Sequence, residues 1–101
     1  MTTDLSLLKA SDFAAYLNGQ VYIRFTKNER LSAELIEVKE SENYSPLERT
    51  AFFIVFRTEQ KNATYKQGVY TVEHPQKGEL PIFLVPLGPD GKGMKYEAVF
   101  S

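Results

Sequence analysis

Of all the side chains in this 101-residue chain, the single histidine, His74, with Glu73 beside it, comes closest to acid–base chemistry. An imidazole titrates near neutral pH and serves as a general base when a carboxylate orients it. Neighbours on an extended strand, however, point to opposite faces, so Glu73 cannot orient His74 if the stretch is a strand. No serine or threonine is set by a motif to act as the nucleophile, and the absence of cysteine removes the thiolate alternative. His74 is therefore read as a strand-end residue that hydrogen-bonds the following turn, and as a candidate partner contact rather than a catalytic group.

The run Gly88-Pro89-Asp90-Gly91-Lys92-Gly93 combines glycines with a lysine, as phosphate cradles do. Its spacing is not that of a P-loop, and strand-patterned residues follow it where a phosphate site would have a helix N-terminus. A hairpin loop whose glycines supply positive φ is the expectation. One histidine, no cysteine and scattered glutamates make no metal-ligand cluster, and Pro89-Asp90-Gly91 is too short for a calcium loop. No catalytic, cofactor or metal residue is predicted, and the chain is expected not to be an enzyme.

Five of the six tyrosines divide by context. Tyr22, Tyr70 and Tyr96 fall in strand patterns, where a ring is buried with its hydroxyl at the rim. Tyr44 and Tyr65 fall in polar stretches that give no reason for burial, and exposed aromatics are enriched at interfaces. These two join His74 as the candidate partner-contact residues.

Composition narrows the partner. Twelve Lys and Arg against thirteen Asp and Glu give a formal net charge of -1 with no basic cluster, so nucleic acid is disfavoured. No segment approaches the ~20 apolar residues of a membrane span. The start, MTTDLSLLKASDF, places Asp4 where a secretory signal carries positive charge and has no apolar run; a cytoplasmic location is the default, with signal-independent export left open. With 43% hydrophobic residues, one domain over residues 1–101 can build a core without disulfides.

The positioning elements follow from periodicity. Leu5 to Gly19 is the helical stretch: Ser11 as N-cap, Asp12 in the first turn, Phe13 and Leu17 facing a sheet, and Asn18-Gly19 as the stop. Gln20 to Thr26 alternates Val21, Ile23 and Phe25 with Tyr22 and Arg24, a half-buried strand. After Lys27-Asn28-Glu29 the alternation resumes through Leu31, Ala33 and Leu35. It then changes phase at Ile36, which predicts a β-bulge or bend serving two faces. Ser41 to Arg49 is a polar connection. Thr50 to Thr58 is apolar on both faces, as in a central strand. Glu59 to Lys66 is a second polar loop. Gln67 to His74, Glu79 to Leu87 and Met94 to Phe100 then read as a three-stranded antiparallel meander, with Ile82 to Val85 in the core and Pro81 and Pro86 marking Glu79 to Leu87 as an edge open to self-association.

Several of these residues together resemble a small uncharacterised bacterial domain family of about this length. They are Ala10-x-Asp12-Phe13 with Leu17-x-Gly19-Gln20, Phe52 to Arg57, Gln67-Gly68-x-Tyr70-x-x-x-His74-Pro75, Phe83-Leu84-Val85-Pro86 with Gly88-Pro89-Asp90, and Tyr96-Glu97-Ala98-x-Phe100. The likeness runs over essentially the whole chain. It implies no activity and no catalytic positions. It does imply the neighbourhood of phage-tail-like and tail-collar proteins, hence an accessory or assembly role.

The sequence thus predicts a mainly β protein: a small antiparallel barrel or sandwich of about six strands with one short N-terminal helix. The expected function is a non-enzymatic protein-interaction or assembly module acting on another protein. The alternative is a small-ligand or carbohydrate binder using a barrel mouth.

Overall fold

A computed structural model describes residues 8–40, 51–60 and 63–100. Six strands follow a one-turn helix: α1 (Ser11–Ala14), β1 (Gln20–Thr26), β2 (Glu29–Glu40), β3 (Phe52–Thr58), β4 (Gly68–His74), β5 (Gly78–Pro89) and β6 (Met94–Phe100). They close into an antiparallel barrel of order β1-β2-β3-β6-β5-β4, with β4 returning to β1, so the choice between barrel and sandwich falls to the barrel.

The ring consists of two meanders, β1-β2-β3 and β4-β5-β6, with strand lengths of 7, 12 and 7 residues in each. Each long strand pairs with one neighbour along its first part and with the other along its second, and each carries an irregularity in the second ladder. In β2 it lies between Leu35 and Glu37, where the pattern changed phase. The extra residue, Ile36, restores the alternation, so Val38 packs against the core instead of turning toward a second face. In β5 it lies between Pro86 and Gly88, where Pro86 has no N–H to donate.

Alternation fills the interior. Val21, Ile23 and Phe25 of β1 point in, as do Phe52, Ile54 and Phe56 of β3 and Leu80, Ile82 and Leu84 of β5. Six-stranded barrels of this kind have an interior that side chains alone fill. Within the segment read as core from Ile82 to Val85, only alternate residues are core: Phe83 faces outward. Glu79 to Leu87 is not an edge either. It lies inside the ring between β4 and β6, because closure removes the free edge an open sheet would have.

Both ends are covered. Since β3 and β4 stand opposite each other in the ring, their connection must cross one end, and it carries Tyr65 with it. The Tyr65 ring stacks on Phe25 at 4.5 Å and 7°. Beneath it the fully buried Tyr96 donates its O–H to Gln60 Oε1 (2.7 Å) and accepts from the Tyr65 N–H (3.0 Å). At the other end Phe13 sits 6.1 Å from Phe52, 5.8 Å from Phe100 and 5.4 Å from His74, centroid to centroid.

The described helix is shorter than the Leu5 to Gly19 expectation, whose first three residues lie outside the described ones. Its N-cap is Ala10 without a side-chain bond; Ser11 is already helical, and the Asp12 carboxylate accepts from the Lys9 N–H (2.7 Å). Asn18, not Gly19, takes the left-handed conformation (φ 68). That reversal leaves Asn18 N–H donating to Leu35 O (2.7 Å) and turns Leu17 to the surface, while Tyr16 packs on the core in its place.

Candidate functional site

His74 ends β4 with its side chain inside and only 5% of its surface exposed. Nδ1 accepts from the backbone N–H groups of Gln76 (3.1 Å) and Lys77 (3.0 Å). Nδ1 therefore carries no proton, and Nε2–H donates to the Asp12 carbonyl oxygen at 2.7 Å. Phe13 and Tyr16 close on the ring edge to face at 5.4 and 5.0 Å. Both nitrogens are thus used in tying α1 to the β4–β5 turn. Glu73 faces outward on the other side of the strand, where Arg30 grips it through Nε and a terminal N–H at 2.9 and 2.8 Å and Arg24 adds a contact at 3.4 Å. The Arg30 guanidinium holds the Glu73 carboxyl below its usual range. Strand alternation keeps these two residues apart, and no dyad forms.

Tyr65 is half-buried in the end cover, and its O–H donates to the Glu29 carboxylate. That bond first, then desolvation, pushes its pKa up from 10.0 to about 12. Because the folded value lies above the unfolded one, the neutral form is the one that folding favours. The bond's contribution is complete below pH 10.0 and disappears as pH rises through about 12. A 295-nm titration is expected to show one tyrosinate transition near 12 that Tyr65→Phe removes; an unchanged titration in the variant would contradict this assignment. Tyr44 lies outside the described residues.

The glycine-rich run is the β5–β6 hairpin. Gly88 and Gly91 take φ of 106 and 87, and the Asp90 carboxylate accepts from the Lys92 and Gly93 N–H groups at 2.9 and 3.0 Å. Those amides, Lys92 first, and Arg57 at 3.0 Å hold the Asp90 carboxyl below its usual range. The donors that a phosphate would need are turned onto the loop's own aspartate. Arg57 also bonds Glu34 (2.9 Å) along the floor of a polar groove of about 200 Å³ beside Ser32 and Lys92, so its charge is balanced within the protein. Among the described residues there is no group of three His, Asp or Glu able to hold a metal, and no helix long and apolar enough to cross a membrane.

Most of the large apolar side chains left exposed lie on the outer wall of the second meander. Val69 of β4, Phe83 of β5 and Val99 of β6 are 64%, 50% and 68% exposed, and Leu87 at the β5 irregularity is 46% exposed. Val69 stands directly opposite Phe83, and Val99 directly opposite the half-buried Phe53 of β3. Two uncharged apolar pairs, Val69–Phe83 across β4 and β5 and Phe53–Val99 across β3 and β6, therefore lie on the outer wall of four neighbouring strands. Scattered exposed apolar residues are ordinary, whereas contiguous ones mark contact surfaces. Tyr22, the exposed aromatic on the β1 face, is instead covered by the Arg30 guanidinium at 3.8 Å.

Sequence reasoning missed this surface because it counted Phe83 and its neighbours as core. The signal was present: Leu80, Ile82 and Leu84 already supply one complete face, which leaves Phe83 on the other. A family model described as a domain of unknown function (DUF6916) matches residues 8–100. No curated protein and no solved structure matches.

Proposed function

We propose that this chain, which belongs to the family described as a domain of unknown function (DUF6916), is a non-enzymatic protein-interaction module that engages another protein through the outer wall of β4, β5 and β6. The observation that supports this reading is the set of exposed, uncharged side chains Val69, Phe83 and Val99 on the outer wall of three neighbouring strands. An aromatic side chain ringed by smaller apolar ones has the make-up of an interface hot spot. The likeness to families met near phage-tail-like and tail-collar proteins makes a multi-component assembly the proposed setting. A ligand in the barrel mouth has less support, since Phe25, Tyr65 and Tyr70 pack together at one end and Phe13 fills the other.

The test is recovery of the tagged protein from its native cells after mild cross-linking. The wild type is expected to bring down a defined protein in fixed proportion. Phe83→Glu with Val99→Glu should reduce that recovery about tenfold or more, as loss of a hot spot does, while unfolding free energy stays within about 0.5 kcal/mol because both positions are at the surface. Consistent recovery of a free monomer, or equal recovery with the double variant, would refute the proposal.

A further inference from the structure

Among the described residues, His74 is the buried side chain that can change its charge near neutral pH. Its two ring nitrogens hold two different elements. Nδ1 accepts from the Gln76 and Lys77 N–H groups of the β4–β5 turn, at 3.1 and 3.0 Å, and Nε2–H donates to the Asp12 carbonyl oxygen of α1, at 2.7 Å. A proton arriving on Nδ1 takes the lone pair that both amides share. The ring then presents an N–H to two N–H groups, and two donors around a 5% exposed side chain lose their acceptor. Relief requires the imidazole to swing away from the turn. The same ring carries the Asp12 bond and the contacts of Phe13 and Tyr16, so α1 loses its hold with it.

The surrounding charges supply no replacement acceptor. On α1 the Asp12 carboxylate accepts from the Lys9 N–H (2.7 Å) and lies 3.6 Å from Lys77 Nζ, the cation of the turn itself. Phe13 and Tyr16 meet the imidazole with their rings. On β4 the neighbouring Glu73 faces the outer wall, where Arg30 and Arg24 engage it.

The geometry points to an acid-operated latch: protonation of His74 at Nδ1 releases α1 from the β4–β5 turn and uncovers one end of the barrel while the ring of strands stays closed. The docked form holds the imidazole neutral and so binds one proton fewer than the released form; falling pH favours release and rising pH favours docking. The ring is closed by backbone ladders that use no imidazole bond, whereas a one-turn helix does not persist without its contacts. Release uncovers apolar surface, since Phe13 lies 6.1 Å from Phe52 and 5.8 Å from Phe100. The latch concerns the end of the barrel and stands apart from the interaction reading of its outer wall.

The experiment follows the full chain, labelled with nitrogen-15, from about pH 8 to about pH 5, the span in which histidines titrate. Side-chain nitrogen spectra read the proton on Nδ1 directly, and backbone spectra read α1. One transition is expected in which Nδ1 gains a proton, the Gln76 and Lys77 amides shift, and residues 12–17 move to the shifts of an unstructured chain, while the β3–β6 amides stay dispersed. His74→Asn can place an oxygen near the Nδ1 position and cannot titrate, so it should show no such transition; the wild-type side-chain spectrum decides the matter even if that variant fails to fold. Asp12→Asn keeps the carbonyl oxygen that His74 uses and should release as the wild type does. Protonation of Nδ1 with residues 12–17 still docked would overturn the latch, as would an Nδ1 that takes no proton until the whole barrel unfolds. A transition that persists in His74→Asn, or disappears in Asp12→Asn, would place the trigger elsewhere and overturn it too.

Discussion

Phe13→Ala is expected to lower the unfolding free energy by about 3–5 kcal/mol, the range for removing a buried phenylalanine. The ring is 2% exposed and lies against Phe52, Phe100 and His74, so its loss leaves a cavity at the end of the barrel where three aromatic rings meet. The surroundings are poorly placed to collapse into it: Phe52 and Phe100 stack on each other at 4.7 Å from paired strands, and His74 is held by three hydrogen bonds. Since small domains have only about 5–15 kcal/mol in total, the variant should show a clearly lower urea midpoint. The helix has one turn and no stability of its own, so Phe13, together with the His74–Asp12 bond, attaches it. Leu17→Ala, at an exposed position of the same segment, is the control and should stay within about 0.5 kcal/mol. A Phe13→Ala loss no larger than the control's would mean that the segment does not belong to the core.

Gly93→Ala is the second large effect, for a different reason. Gly93 ends the β5–β6 hairpin, and a Cβ there would fall inside the van der Waals shell of the Thr58 carbonyl oxygen and crowd Arg57 Cγ. Thr58 is the last residue of β3 and pairs with Met94, so the obstructing atom is backbone held in the ladder and cannot swing aside. Overpacking typically costs about 1–3 kcal/mol, and a backbone clash belongs at or beyond the top of that range. The loss should be about 3 kcal/mol or more by urea unfolding, with the β3–β6 amides nearest the hairpin shifted most. Gly91→Ala provides the contrast. There is open space around its Cβ position, and only its φ of 87 opposes a side chain, a strain of about 1–2 kcal/mol. Equal losses at the two sites would show that backbone conformation, not the close approach to Thr58, is what requires glycine at Gly93.

Local pattern carried much of the architecture. The bounds of β1 and β6 could be read from alternation alone, and the phase change at Ile36 marked the irregularity in β2 before any partner strand was known. Those features are decided within a few residues: period two follows from strand geometry, and a single extra residue must break it. The polar roles were less legible. Tyr65 sits in a hydrophilic stretch because its neighbours face water, yet its own ring is drawn onto Phe25 by a crossing that only the ring order of the strands imposes. Asn18 and Gly19 both suit a helix stop, and the bond from Asn18 N–H to Leu35 O, 17 residues away in the chain, selects the first.

What the sequence determined by itself is the material: six strands, a short helix ahead of them and a glycine hairpin at 88–93. These depend on residue type and short-range spacing, and both are printed in the chain. The tertiary structure decided which apolar residues remained exposed. Closing the sheet into a ring gives every strand one inside and one outside; Leu80, Ile82 and Leu84 take the inside and Phe83 the outside, and pairing β6 with β3 sets Val99 opposite Phe53 on the outer wall. An alternation names two faces without saying which is covered, because coverage depends on strands far apart in sequence.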